Sequence, residues 1–303
     1  VPEMTAEMDT ASLSIFRPRR SVLYMPSSNA RALEKAKGIP CDGLILDLED
    51  AVAPDAKPEA REAACAAAQS GEYGRREITI RVNGMDTAWH ADDMAAACAA
   101  GPDAIVVPKV DSADAVRELV ATMERHGAPA RTKLWAMVET PRAMLHCEEI
   151  AAASERLTVL VMGTNDLAKE LYAEHVPGRA PLLTGLGLCL LAARATGTAI
   201  IDGVYNDVKD TDGFLVECAQ GRSMGFDGKT LIHPGQVAPA NEAFAPSQQA
   251  VEDARGILTA WEDGKGSGVV TYNGRMVENL HVESAQRVLT MHEAITALEA
   301  AQD

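Results

Sequence analysis

Aromatic residues are scarce, 4% of 303, while alanine is abundant, so the core must pack through small aliphatic side chains rather than rings. The six cysteines, Cys41, Cys65, Cys98, Cys147, Cys189 and Cys218, include no C-x-x-C pair, which excludes a zinc ribbon and a thioredoxin-like redox motif. Most fall in helical or strand patterns, where a free cysteine behaves as a small hydrophobe. Basic residues number 28 against 44 acidic, a net charge of −16 that no basic run offsets, so nucleic acid and anionic membrane surfaces are not expected partners. No charge-free stretch is long enough to span a bilayer. The segment through Phe16 carries acids and no continuous apolar stretch, which argues against a secretory leader and sets the expected location as cytoplasmic. Val1 ahead of Met4 reads as a processed start.

What the chain does have is a regular alternation. Short, continuously apolar runs predict strands at 22–25, 43–48, 77–82, 104–107, 133–138, 157–162, 199–204 and within 225–232. Continuous rather than alternating hydrophobicity points to strands buried on both faces, as in a parallel sheet. Between them lie helical patterns at 57–69, 88–100, 113–126, 141–153 and 181–195. Ser112 marks one helix start, and Thr140 with Pro141 places an N-cap before proline at the first helical position of another. Eight strands alternating with helices predict an α/β fold of the (β/α)₈ TIM-barrel type over residues 14–245. A doubly wound open sheet is the alternative, but no G-x-G-x-x-G follows the first strand.

From 246 to 303 the pattern changes to a helix at 248–263, a glycine-rich joint at 264–268, a hairpin about Asn273-Gly274 and a final helix at 284–298. This extension reads as a lid or oligomer arm, or equally as a cap on the barrel base.

Active sites of such barrels form just past the C-terminal ends of the strands. The polar residues falling there are Asp47, Glu49, Asp50, Arg81, Asn83, Lys109, Glu139, Asn165, Asp166, Asp202 and Asn206. Carboxylates crowded at one mouth repel each other unless a cation sits among them. Oxygen donors without histidine favour Mg²⁺, with Mn²⁺ as the alternative, over zinc. Asp47, Glu49 and Asp50 are equally open to capping the next helix and pairing with Lys57 or Arg61. Glu139 and Asp166 follow apolar strands, where an unpaired charge is costly. Arg81 ends 78–80 and offers a fork suited to a carboxylate or a thioester-derived enolate. Lys109 is open between a mouth residue and a structural lysine inside the barrel, and His233 reads as a satisfied loop histidine.

Several stretches carry a resemblance: RPRRSVLYMPSSNARALEKA, DGLILDLEDAVAPDAKPEAR, RVNG, VPKV, AMVETPRA, VMGTNDLAKEL, DGVYNDVKD and MGFDGKTLIHPGQV. They run in order over nearly the whole chain, which resembles the HpcH/HpaI aldolase/citrate lyase β-subunit-like family of CoA-ester lyases. The resemblance implies a (β/α)₈ barrel, Mg²⁺, a CoA thioester substrate and a homotrimer or homohexamer with the lid exchanged between subunits. It implies Glu139 and Asp166 as metal ligands, Asp47 and Glu49 close behind them, and Arg81 on substrate oxygens. Arg19, Arg20, Arg31 and Lys35 fall where relatives hold the CoA phosphates. The run from Arg17 to Lys37, with Glu34 as its one acid, suits a polyanion that the chain's overall charge opposes, although a solvated basic face fits the same run.

The activity so implied is reversible aldol-type cleavage of a 3-hydroxyacyl-CoA such as malyl-, methylmalyl- or citramalyl-CoA to an acyl-CoA and an α-oxo acid. Arg81 would stabilise the thioester enolate, and a lid acid would protonate it. Relatives supply that acid as aspartate in a G-x-M-[VI]-D stretch, whereas here it reads Gly274-Arg275-Met276-Val277-Glu278. Glutamate adds a methylene, and misplacement on the ångström scale costs about a hundredfold in rate unless the lid shifts. Glu278 therefore raises the standing of the alternative, (3S)-malyl-CoA thioesterase, ahead of a citryl lyase acting on a carrier-bound substrate. Alanine at Glu139 or Asp166 is expected to abolish Mg²⁺ dependence and turnover together; full activity in either variant removes the metal assignment.

Overall fold

The computed structural model describes residues 17–264 and 268–301. The chain divides into two compact units, Arg19–Phe244 and a second from Ala245 onward. The glycine-rich joint falls largely on residues 265–267, outside the described residues, as does the stretch 14–16.

The first unit is a closed barrel of eight parallel strands in sequential order. They are β1 (Ser21–Pro26), β2 (Gly43–Asp47), β3 (Glu77–Arg81), β4 (Ala104–Val107), β5 (Lys133–Val138), β6 (Leu157–Met162), β7 (Ala199–Asp202) and β8 (Gly228–Leu231). The ring closes through β1 on β8, with Val22 opposite Thr230. The helices around it are α1 (Ala30–Ala36), α2 (Lys57–Gln69), α3 (His90–Ala100), α4 (Ala113–Arg125), α5 (Pro141–Leu145) and α6 (Cys147–Ala151). They continue with α7 (Thr164–Glu170), α8 (Leu183–Thr196), α9 (Thr211–Met224) and α10 (Val237–Phe244). Thr140 caps α5, its hydroxyl accepting from the Ala143 N–H at 3.0 Å. The single helix expected at 141–153 is two, because the chain bends at His146 (φ −113°, ψ 16°).

Two cores follow from strand parity. Side chains alternate across a strand, so a strand buried on both faces feeds both. Val22, Ile45, Val106, Trp135, Val159 and Ile201 fill the barrel interior. Leu23, Leu44, Leu46, Ile80 and Leu160 face the helical layer, where they meet Ala60, Met94, Leu119 and Leu186. Small residues such as Ala60, Ala64 and Ala97 let the helices approach the sheet closely. All six cysteines are free, and five are buried.

The N-terminal end of the barrel is closed by charge. Arg19, 3% exposed, grips Glu77 at the start of β3 through Nε (2.6 Å) and Nη2 (2.9 Å), and its guanidinium lies 5.5 Å from the Trp135 ring centre. Arg20 grips Asp42, just before β2, through Nε (2.9 Å) and Nη2 (2.8 Å). Such buried forks fix geometry, and losing one partner leaves an uncompensated charge.

The second unit holds α11 (Gln248–Asp263), the hairpin β9 (Val270–Tyr272) and β10 (Arg275–Val277), and α12 (Asn279–Glu299), with α11 packed on α12 and β9. Helix α12 begins ahead of the expected residue 284. Its start is held by an unexpected group: the Glu278 N–H donates to Nδ1 of His281 at 3.1 Å. Among the described residues no helix is long and apolar enough to cross a membrane.

Replacing Arg19 by methionine is expected to destabilise the protein by about 3–5 kcal/mol, read by urea denaturation. The double variant Arg19→Met/Glu77→Met should recover most of that loss. An unchanged midpoint in the single variant contradicts this role.

Candidate functional site

At the opposite, C-terminal end, strand parity brings charge inward again. Val22, Ile45, Trp135 and Met137 point into the barrel, so Tyr24, Asp47 and Glu139 do too. On β3 the apolar Ile78 and Ile80 face the helices, which turns Arg81 inward. These side chains line a cleft of about 350 Å³ with Asp166, Asn165 and Thr230.

Arg81 is its fulcrum. Its Nε and Nη2 donate to the two oxygens of Asp47 at 2.6 and 2.7 Å, and Nη1 lies 2.7 Å from Oε2 of Glu49. The guanidinium stacks 4.7 Å from the centre of the Tyr24 ring. Asp47 also accepts the N–H groups of Glu49 (2.9 Å) and Ala51 (3.1 Å), so it shapes the turn as well as holding the arginine. The pairing with Lys57 or Arg61 does not form. Lys57 donates to the carbonyls of Leu48 and Glu49 and to Asn83, while Arg61 pairs with Asp93 at 2.6 Å.

Burial pushes the Glu49 carboxyl up to about 7, against the pull of Arg81 and with help from Asp50, Glu139 and Asp47. Glu139, 2% exposed, is likewise raised to about 7, first by burial and then by the charge of Asp166. Its Oε1 accepts the backbone N–H of Lys109 at 2.7 Å. Gly163, which leads from β6 into α7, passes so close to Glu139 that any Cβ there would meet its carboxyl group. Asp166 does not end a strand; it sits in the first turn of α7, half-buried, its carboxylate without a hydrogen bond or ion pair among the described residues. A buried carboxylate raised by a neighbour that itself lacks a partner is the donor set a hard divalent cation fits. Mg²⁺ takes one or two carboxylates and completes its shell with water or substrate, so these two residues suffice without a third. No cage of three His, Cys, Asp or Glu side chains occurs among the described residues.

The structure thus brings Asp47, Glu49, Asp50, Arg81, Lys109, Glu139, Asn165, Asp166 and Asn206 together at the mouth. Arg19 and Arg20 are corrections: they lie at the far end of the barrel, buried and committed to Glu77 and Asp42, so they do not meet CoA phosphates. Arg31 and Lys35 are exposed on α1. Asp202 is also corrected. Its neighbour Ile201 points inward, so Asp202 points outward, where Arg179 (2.7 Å) and Lys229 (3.0 Å) hold it. Lys109 is not inside the barrel but on the mouth loop, about half exposed. His233 is exposed, its Nδ1 accepting the Gly235 N–H at 3.0 Å. Glu278 is exposed at the start of α12 in the second unit. Tyr24 was missed; its signal was its inward parity with Val22. Asn165 and Asn206, both expected at the mouth, form a reciprocal amide pair (3.1 and 2.8 Å) that joins the β6 and β7 exits.

A family model described as HpcH/HpaI aldolase/citrate lyase matches residues 20–234. The chain belongs to that family. A second model, C-C bond lyase of the TIM-barrel fold, matches residues 184–295. This family member is 51% identical to a (3S)-malyl-CoA thioesterase of Cereibacter sphaeroides over 93% of this chain and 98% of that one. It is 37% identical to the citrate lyase subunit beta of Escherichia coli, over 91% and 94%. Among solved structures it resembles the protein CitE from Mycobacterium tuberculosis in complex with magnesium, acetoacetate and coenzyme A. There the TM-score is 0.73 at 30% identity, covering 90% of this chain and 97% of that one.

The raised Glu139 makes a signed prediction for the metal-free protein. A folded-state value near 7 against an ordinary 4.5 means the neutral form favours folding below about pH 4.5, and that stability is lost as pH rises to about 7. Glu139→Gln should remove that loss, at most on the order of 3 kcal/mol, in urea melts with chelator between pH 5 and 8. A variant as pH-sensitive as the parent contradicts it.

Proposed function

We propose that this family member acts on a malyl-type CoA thioester and hydrolyses it to malate and CoA. The observation that carries the reading is the mouth itself: a guanidinium and a carboxyl raised to about 7 stand beside a carboxylate pair suited to Mg²⁺. The 51% likeness to a (3S)-malyl-CoA thioesterase supports hydrolysis ahead of cleavage, the reverse of the order drawn from sequence.

Glu139 and Asp166 would hold the ion, with Asp47 and Glu49 behind them. When bound, the ion would supply Lewis-acid charge to the substrate's oxygens. Glu49, poised near neutrality, takes a proton from water as the water oxygen attacks the thioester carbonyl carbon. Arg81 stabilises the oxyanion by charge and hydrogen bonds, and Asp47 holds the guanidinium in register. Collapse of the tetrahedral adduct breaks the C–S bond, and the departing thiolate takes the proton that Glu49 accepted, which restores the carboxylate. Tyr24, whose phenol burial keeps protonated, walls the arginine from solvent. Arg31 and Lys35 are retained as phosphate contacts.

Carbon–carbon cleavage is the second reading, favoured by the C–C bond lyase model and the citrate lyase relatives. In it Arg81 stabilises an enolate, and Glu278, from a C-terminal lid exchanged within a homotrimer or homohexamer, donates the proton.

Incubation with (S)-malyl-CoA and Mg²⁺, following free thiol and glyoxylate separately, tests the proposal. Thiol and malate without glyoxylate are expected. Glyoxylate and acetyl-CoA without thiol would establish the lyase instead.

A further inference from the structure

Arg81 and Lys109 are the cations facing the carboxylates of the mouth, and they are placed very differently. Arg81 spends three of its donors on Asp47 and Glu49 and has its face against Tyr24. Lys109 has a rigid root and a free head. Its backbone sits at φ +54°, in the left-handed region that a side chain disfavours. That turn aims its N–H at Glu139, and the next N–H, of Val110, donates to the Met137 carbonyl at 3.2 Å. The amine, 49% exposed, has Glu49 Oε1 at 4.0 Å as its ion partner, with Asp166 and Glu139 within reach of its charge.

The charge balance of the mouth gives that amine a task. Among the described residues, Arg81 and Lys109 are the cations set against Asp47, Glu49, Asp50, Glu139 and Asp166, so with all five ionised even a bound divalent ion leaves the mouth negative. An anionic group entering it needs a cation not already locked in a short pair. We propose that Lys109 Nζ moves from Glu49 onto the free carboxylate of the bound thioester. It thereby selects 3-hydroxyacyl thioesters that carry a second acid group over those that do not. The inference rests on the malyl-CoA reading.

The left-handed backbone allows a clean test, because glycine there keeps the N–H on Glu139 without strain and removes only the amine. Lys109→Gly is expected to raise KM for malyl-CoA about tenfold, the loss of one charge-assisted hydrogen bond. Inhibition by 3-hydroxybutyryl-CoA, which lacks the second acid, should change by less than about twofold, as should the Mg²⁺ concentration that half-saturates the thermal shift. Lys109→Arg should restore KM to within about threefold. An unchanged KM overturns the inference, and so does a parallel shift in inhibition or Mg²⁺ affinity, which would mean that the residue acts through Glu139. Calorimetric binding of malate with Mg²⁺ makes the same comparison without turnover: equal affinity in parent and Lys109→Gly overturns the inference. Wild-type protein inert toward malyl-CoA would sink the underlying reading instead.

Discussion

A carboxyl group with 2% exposure, placed beside a second carboxylate, is pushed up to about 7 and carries its charge only in part at neutral pH unless more positive charge joins it. Glu139 and Asp166 stand in that relation, and the rest of the mouth is arranged around it. Strand β5 delivers Glu139 from the barrel interior, and the strained backbone of Lys109 gives it one hydrogen bond. Gly163 lets α7 start close enough to bring Asp166 near. Arg81, the obvious neutralising group, is held by Asp47 and Glu49 and so leaves the pair to a cation. The barrel can hold this tension because its strands are buried against both the interior and the helical layer.

The two ends of the barrel use the same chemistry to opposite effect. At the base, Arg19 with Glu77 and Arg20 with Asp42 form closed forks with matched charge. They seal the interior and offer a ligand nothing. At the mouth, carboxylates outnumber cations, an imbalance that suits a hard divalent cation. A third buried network, Asp202 with Arg179 and Lys229, fixes the β7 exit from the helical side.

Much of this was legible in the residues. Continuous apolar runs gave away all eight strands, and the helices at 57–69 and 248–263 have the bounds their patterns suggested. Glu139 and Asp166 stood out because a charge following an apolar strand needs a reason. Arg19 and Arg20 misled because adjacent arginines in a basic run look like an anion site, while their partners lie 58 and 22 residues away and meet them only through strand pairing. Asp202 misled for want of a parity argument, since Ile201 beside it points inward. The left-handed turn at Lys109 and the histidine at the start of α12 leave no mark in composition or periodicity. Both are set by hydrogen bonds that exist only once the chain has folded.

Glu139 and Asp166 are proposed as a divalent cation site at the C-terminal mouth. The most direct measurement is anomalous diffraction from crystals grown with Mn²⁺ in place of Mg²⁺. A single strong peak within bonding distance of both carboxylates is the expected result. No peak there, or a peak elsewhere on the barrel, would contradict the account and leave the raised carboxyl of Glu139 to be explained as a protonated acid.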